Sequence, residues 1–129
     1  MTFGRDGMLY VAVSGANAPA SRGLWSRVIG GVAQDPARHG GKVPATAPSG
    51  MLFYTGDRYP NFKGNLFVGQ LKGRRVERIV MNDKGYITGR EDLFVELGER
   101  IRDVRQGRDG WIYLLTDSTH AEVLRIELN

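Results

Sequence analysis

The sequence predicts an all-β chain made of β-propeller blades, about two to three four-stranded antiparallel units per chain. A Gly-x-Leu/Ile-aromatic-aliphatic core recurs from Gly7, Gly64 and Gly110, at spacings of 57 and 46 residues. A blade takes roughly 40–50 residues. The outer copies match over eight positions, Gly4-Arg5-Asp6-Gly7-Met8-Leu9-Tyr10-Val11 against Gly107-Arg108-Asp109-Gly110-Trp111-Ile112-Tyr113-Leu114. Between the copies, short apolar runs alternate with clusters of Gly, Pro, Asn and Asp, the pattern of strands joined by turns.

Each repeat has a physical reading. Asp-Gly supplies a tight turn that needs positive φ, and the apolar-aromatic run after it reads as a mid-sheet strand buried on both faces. Residues 1–129 form one propeller-like domain. Residues 1–15 make a first partial blade, with strands at Thr2-Phe3 and Leu9–Val13. Residues 16–46 are rich in Gly, Ala and Pro, and only Leu24–Ile29 reads as a short helix or strand.

Residues 47–97 read as a complete blade, with strands at Met51–Tyr54, Leu66–Leu71, Val76–Met81 (alternating in polarity) and Tyr86–Phe94. The connections Gly56–Asn61, Lys72–Arg74 and Asn82–Gly85 hold turn formers. Residues 98–129 give a last blade of three strands, Ile101–Gln106, Trp111–Thr116 and Val123–Leu128. Three units do not close a ring, and an open edge invites pairing. A homo-oligomer is therefore expected, a dimer of three-unit chains ahead of a trimer.

Composition narrows the function. With 41% apolar and 25% charged residues, the chain suits a globular domain. No window approaches the roughly 18 apolar residues of a membrane span, and the N-terminus lacks the layout of an export signal. No membrane partner is expected. The absence of cysteine excludes disulfides, thiolate zinc sites and cysteine nucleophiles. A net charge of +4 permits an anionic partner, but the basic residues are spread through strands and turns. No nucleic-acid partner is expected, and Lys72-Gly73-Arg74-Arg75 reads as solvated hairpin charge.

Few motifs suggest chemistry. Gly30-Gly31 and Gly40-Gly41-Lys42 lack phosphate-loop spacing, and no serine lies in a Gly-x-Ser-x-Gly elbow. His39 and His120 fall in loops without a carboxylate motif nearby, and Asp35 and Asp57 read as turn formers. Arg100 and Arg102 stand two apart on a strand, so both guanidiniums would face one way. The bland reading of that pair is a solvated face balanced by Glu99 and Asp103.

Ala47-Pro48-Ser49-Gly50-Met51-Leu52-Phe53-Tyr54-Thr55-Gly56, followed by Pro60-Asn61-Phe62-Lys63-Gly64-Asn65-Leu66-Phe67-Val68-Gly69-Gln70-Leu71, closely resembles the soluble PQQ-dependent aldose sugar dehydrogenases, the glucose/sorbosone dehydrogenase family. Gly98–Arg105 with Gly107–Asp117 is similar to that family's final blade, and Met1–Gly15 to an earlier one. Residues 47–128 carry nearly all of the likeness. What resembles the family is an early half-blade joined to the last two blades of a six-bladed propeller.

The resemblance implies a PQQ site over the propeller mouth, with calcium beneath the quinone and a histidine as base. It places Arg100 and Arg102 at the family's pair of cofactor-facing arginines. Thr55 falls where some relatives carry a lysine near the cofactor. The family's histidine segment would end where Met1 begins, and the blades that furnish the calcium ligands have no counterpart here. The expected function is therefore that of a truncated relative, keeping part of a quinone- or anion-binding face without oxidising sugar as a single chain. Its cofactor-binding residues would be Arg100, Arg102 and Thr55, with no catalytic residue, no metal ligand and no calcium on a single chain. PQQ, or a small anionic or sugar-like ligand, is the expected occupant. The alternative is a non-catalytic propeller module that binds a ligand or a protein. The family is typically periplasmic, and this chain carries no signal that fixes a compartment.

Overall fold

The computed structural model describes residues 46–128, together with the backbone of Thr2–Phe3 and Leu9–Tyr10. In chain order the strands are β1 (Thr2–Phe3), β2 (Leu9–Tyr10), β3 (Pro48–Phe53), β4 (Leu66–Gln70), β5 (Arg75–Met81), β6 (Ile87–Leu93), β7 (Ile101–Gln106), β8 (Ile112–Thr116) and β9 (Val123–Arg125). They pair antiparallel into three sheets, ordered β1-β2, β3-β4-β5-β6 and β7-β8-β9. Each copy of the repeat supplies the second strand of its sheet, as blade equivalence requires. Gly64 and Gly110 open those strands at φ +81° and +82°, a conformation that only glycine adopts without strain.

Predicted and observed strands differ mainly at their ends. The first strand of the complete blade begins at Pro48, three residues early, because a register irregularity between Pro48 and Met51 lets the chain join the sheet before its apolar run starts. The last strand stops at Arg125, although the Ile126 N–H still donates to the carbonyl of Ile112 at 2.9 Å. Two single 3-10 turns, Pro60–Phe62 and Val95–Leu97, occupy connecting segments. The expected elements at Val11–Val13 and Leu24–Ile29, together with His39 and Asp35, lie outside the described residues.

The two larger sheets pack face to face through Phe67, Val76, Ile101, Val104, Ile112 and Leu114, all at most 2% exposed. Burying side chains of this size contributes about 1.5–3 kcal/mol each. On the opposite face of the four-stranded sheet, Met51, Leu66, Val68 and Ile79 form a second cluster. β4 is thus buried on both faces, as its unbroken apolar run predicts.

β8 departs from the same expectation. Ile112, Leu114 and Thr116 are buried, but Tyr113 is half-buried and Leu115 is exposed. Among the described residues a sheet covers β8 on one side only. Leu115 pairs across the strands with Val123, which is also exposed.

The first strands of the two sheets set their spacing. Contacts progress in one direction along both, from Ser49 Oγ on the Ile101 carbonyl at 2.6 Å to Thr55 on Gln106, so β3 and β7 run parallel. A Cβ built on Gly50 would lie 1.9 Å from Asp103 Oδ1 and 2.7 Å from Asp103 Cα. Backbone meets backbone there, and only glycine leaves room.

Alternation along β5 hides a buried charge. Glu77 is buried and takes hydrogen bonds from Gln70 Nε2 at 3.2 Å and from Arg90 Nη1. A carboxylate removed from water needs such partners. The basic hairpin run is also less free than its sequence suggests. Arg74 Nη1 donates to the Gly98 carbonyl at 2.9 Å, and Arg75 pairs with Asp92 at 3.1 Å.

Candidate functional site

The site begins with an irregularity at the start of β7. Ile101 opposes Thr116 and Asp103 opposes Leu115, so Arg102 is an extra residue without a ladder partner. This bulge lets Ile101 and Val104, three positions apart, both enter the core while Arg102 projects outward. Arg100 lies one residue before the strand, where its carbonyl accepts the Asp117 N–H at 2.8 Å.

That backbone bond fixes Asp117 between the two arginines. Arg100 Nε donates to Asp117 Oδ2 at 2.9 Å. Arg102 donates to Oδ1 twice, from Nε at 3.2 Å and from Nη2 at 2.9 Å. Hydrogen bonds from Arg102 and then Arg100 hold the Asp117 carboxyl below its ordinary value, since they favour its ionised form. Two cations therefore share one anion, and the cluster keeps one net positive charge.

Sequence reasoning named Arg100 and Arg102 but assigned their balance to Glu99 and Asp103. The structure gives that role to Asp117, while Asp103 pairs instead with Arg105 at 2.8 Å. The signal was the hairpin register. Once Ile101 faces Thr116, the residue after Thr116 must sit beside Arg100.

The arginine side chains are 45% and 51% exposed, so both can meet a ligand from solvent. Among the described residues neither guanidinium donates to any group besides Asp117. Among the described residues, both Nη groups of Arg100 and Nη1 of Arg102 therefore make no hydrogen bond. Fixed N–H forks beside one another suit carboxylate oxygens. The donor set therefore fits a polycarboxylate such as PQQ.

Thr55 stands elsewhere. It follows the end of β3, where its N–H donates to Gln106 Oε1 at 2.9 Å and its hydroxyl lies 3.3 Å from the same oxygen. Gln106 closes β7, four residues beyond Arg102, or about 13 Å along an extended strand. The structure brings Arg100 and Arg102 together and leaves Thr55 at the far end of the strand.

The remaining expectations fall as follows. His120 is exposed in the turn before β9, with its ring Nδ1 3.2 Å from the Thr119 hydroxyl and its N–H on the Ser118 hydroxyl. Asp57 lies in a bend and pairs with Lys63, which lowers the Asp57 pKa. Among the described residues, no three or more His, Cys, Asp or Glu side chains converge as a metal group.

A second cluster, unforeseen from the sequence, flanks Trp111. The Arg58 guanidinium lies 4.9 Å from the indole centroid and that of Arg125 lies 5.9 Å from it. Beside them the Tyr113 hydroxyl donates to Asp109 Oδ2 at 2.7 Å, and Trp111 N–H donates to Oδ1 at 3.1 Å. These bonds lower the Asp109 pKa and raise that of Tyr113. They brace the Asp-Gly turn and the loop against the sheet.

Two consecutive antiparallel sheets with parallel first strands are a piece of a β-propeller, and one of them opens on a half-exposed arginine pair. Residues 43–125 match the glucose/sorbosone dehydrogenase family, and the chain belongs to it. It is 38% identical over 114 residues to the aldose sugar dehydrogenase YliI of Escherichia coli K12, covering 88% of this chain and 29% of that protein. It is 40% identical over 85 residues to an uncharacterized protein of Synechocystis sp., covering 66% of this chain and 20% of that one. A solved glucose dehydrogenase superposes with TM-score 0.62 at 36% identity, over 66% of this chain and 26% of that one. The apo soluble aldose sugar dehydrogenase of Escherichia coli superposes with TM-score 0.56 at 38% identity, over 65% and 24%. The chain thus spans under a third of the length of these relatives.

Proposed function

We propose that this chain carries part of the quinone- or anion-binding face of a PQQ-dependent sugar dehydrogenase, and binds PQQ or a related polycarboxylate through Arg100 and Arg102. The observation that carries the proposal is the arginine pair, half-exposed and fixed on one carboxylate with N–H donors left over. Arg100 and Arg102 would hold the ligand's carboxylates by charge-assisted hydrogen bonds and orient its plane against the sheet edge. PQQ, when bound, supplies a quinone that accepts hydride. The arginines themselves bind and orient.

Sugar oxidation by these 129 residues alone is not part of the proposal. The sequence holds two histidines, and His120 is engaged with Thr119 and Ser118 in an exposed turn. Calorimetric titration of PQQ tests the reading. Wild type should bind, and Arg102→Ala should weaken binding about tenfold, the loss of one charge-assisted contact. No heat and no quinone spectral shift with wild type would end it. Dye-coupled turnover of an aldose by the chain alone would overturn the non-catalytic part.

Self-association belongs to the same proposal. In the four-stranded sheet the face that holds Phe67 is covered by the next sheet, whereas the repeat-equivalent face holding Tyr113 leaves Leu115 and Val123 exposed. A second copy of the chain is the proposed cover. A strictly monomeric mass in light scattering at micromolar concentration would exclude it.

A further inference from the structure

Two neighbouring cations repel, and long side chains on an exposed strand start sample many rotamers. Arg100 and Arg102 nevertheless converge, because a single carboxylate receives Nε of both. That carboxylate is itself anchored. The Asp117 N–H is held by the Arg100 carbonyl, and the preceding residue, Thr116, is buried and closes β8 against β7. The bulge at Arg102 turns the second guanidinium toward the same point. Asp117 takes the inner Nε of both arginines and Nη2 of Arg102, so that among the described residues both Nη groups of Arg100 and Nη1 of Arg102 make no hydrogen bond.

We infer that Asp117 is a positioning residue, an internal counter-ion that locks Arg100 and Arg102 into one preformed fork for an anionic ligand with two or more carboxylates. This rests on the proposed anion site and adds to it the residue that sets its geometry. It also makes a counter-intuitive demand. Coulomb attraction alone says that removing a negative charge beside two arginines tightens anion binding. Positioning says that the affinity falls, because each arginine must then be ordered at the ligand's expense, a factor of about two to ten per side chain.

Asp117→Asn separates the two. With PQQ as probe, Asp117→Asn should bind about fivefold or more weakly than wild type, within the range set by two ordered side chains. Equal or tighter binding overturns the inference. Asp117→Glu retains the charge but moves it, and guards against a folding defect in the first variant. It should also bind more weakly, and wild-type affinity there would show that charge, not position, matters.

A ligand-free measurement keeps the inference separable from the binding proposal. In wild type the Arg100 and Arg102 Nε–H groups should give two ordered, slowly exchanging nitrogen–proton resonances. Asp117→Asn should make them mobile while the Leu114 and Val104 methyl signals stay unchanged. Should wild type bind no PQQ, the binding proposal fails while this arm still decides the positioning role. Unaltered Nε–H order in Asp117→Asn overturns it.

Discussion

The Tyr54 hydroxyl crosses between the two sheets and donates to the Gly110 carbonyl at 2.8 Å. The same oxygen accepts the Arg58 N–H at 2.9 Å, so one fully buried phenol ties the end of β3, the loop after it and the Asp-Gly turn before β8. Tyr59 repeats the device in the same core. Its hydroxyl donates to the Ile126 carbonyl and accepts the Ile112 N–H at 3.2 Å. The two rings meet edge to face at 5.2 Å. The blade-to-blade contact is therefore apolar in bulk and fixed in register by phenols.

Tyr54→Phe tests this. The ring stays and packing is kept, but the Gly110 carbonyl and the Arg58 N–H lose a buried partner. Unsatisfied buried groups cost about 1–3 kcal/mol, and urea unfolding should show a loss in that range with an unchanged slope. Loss within 0.5 kcal/mol, about the scatter of a neutral surface change, would mean that water replaces the hydroxyl.

Gly50 gives a steric prediction with its own control. An alanine methyl there would collide with Asp103 and with the Val104 nitrogen, 2.8 Å away, and backbone cannot step aside as a side chain can. Gly50→Ala should cost about 3 kcal/mol, at the upper end for overpacking. Gly64→Ala meets nothing within 4 Å but sits at φ +81°. Its cost should be the conformational one alone, about 1–2 kcal/mol. Thermal melts of both variants separate the steric cost at the β3–β7 approach from the conformational cost of a lost glycine.

Tyr59 makes stability fall in alkali. Burial disfavours its phenolate and raises the pKa above the ordinary 10.0. A group whose folded pKa is raised contributes stability in full below its unfolded value and loses it as pH climbs through the folded one. Unfolding free energy should therefore drop above about pH 10 in wild type, a drop that Tyr59→Phe should reduce. Identical alkaline limbs for the two proteins would place the titrating group elsewhere.

What the sequence revealed, and what it concealed, divides along local and non-local lines. The Asp109-Gly110 turn, the strands around Val76 and Val104, and their grouping into blades follow from residue type and short-range period. Burial of β8 did not, since Tyr113 and Leu115 look as apolar as Phe67 and differ in that, among the described residues, no sheet lies above them. Alternation misplaced the reason for the arginine pair. Period two put Arg100 and Arg102 on one face, yet a bulge and a hairpin partner, Asp117, are what bring them together. Glu77 was hidden for a similar reason: alternation in polarity says nothing of its partners, and only cross-strand register reveals Gln70 and Arg90 beside it.

Thr55 offers the sharpest test of how far the anion site extends. Its hydroxyl and N–H converge on Gln106 Oε1, which also accepts the Gly56 N–H at 3.2 Å, so the side-chain amide caps the end of β3. Removing the hydroxyl deletes the longest of these three contacts and leaves the two backbone donors in place. Thr55→Ala should therefore change PQQ affinity by less than about twofold, against about tenfold for Arg102→Ala, a difference of roughly 1 kcal/mol that calorimetry resolves. Gln106→Ala should loosen the β3 end and lower stability by about 1 kcal/mol without touching affinity. A loss of affinity in Thr55→Ala equal to that of Arg102→Ala would require the ligand to run the length of β7, and would move the site from the strand's start to its whole exposed face.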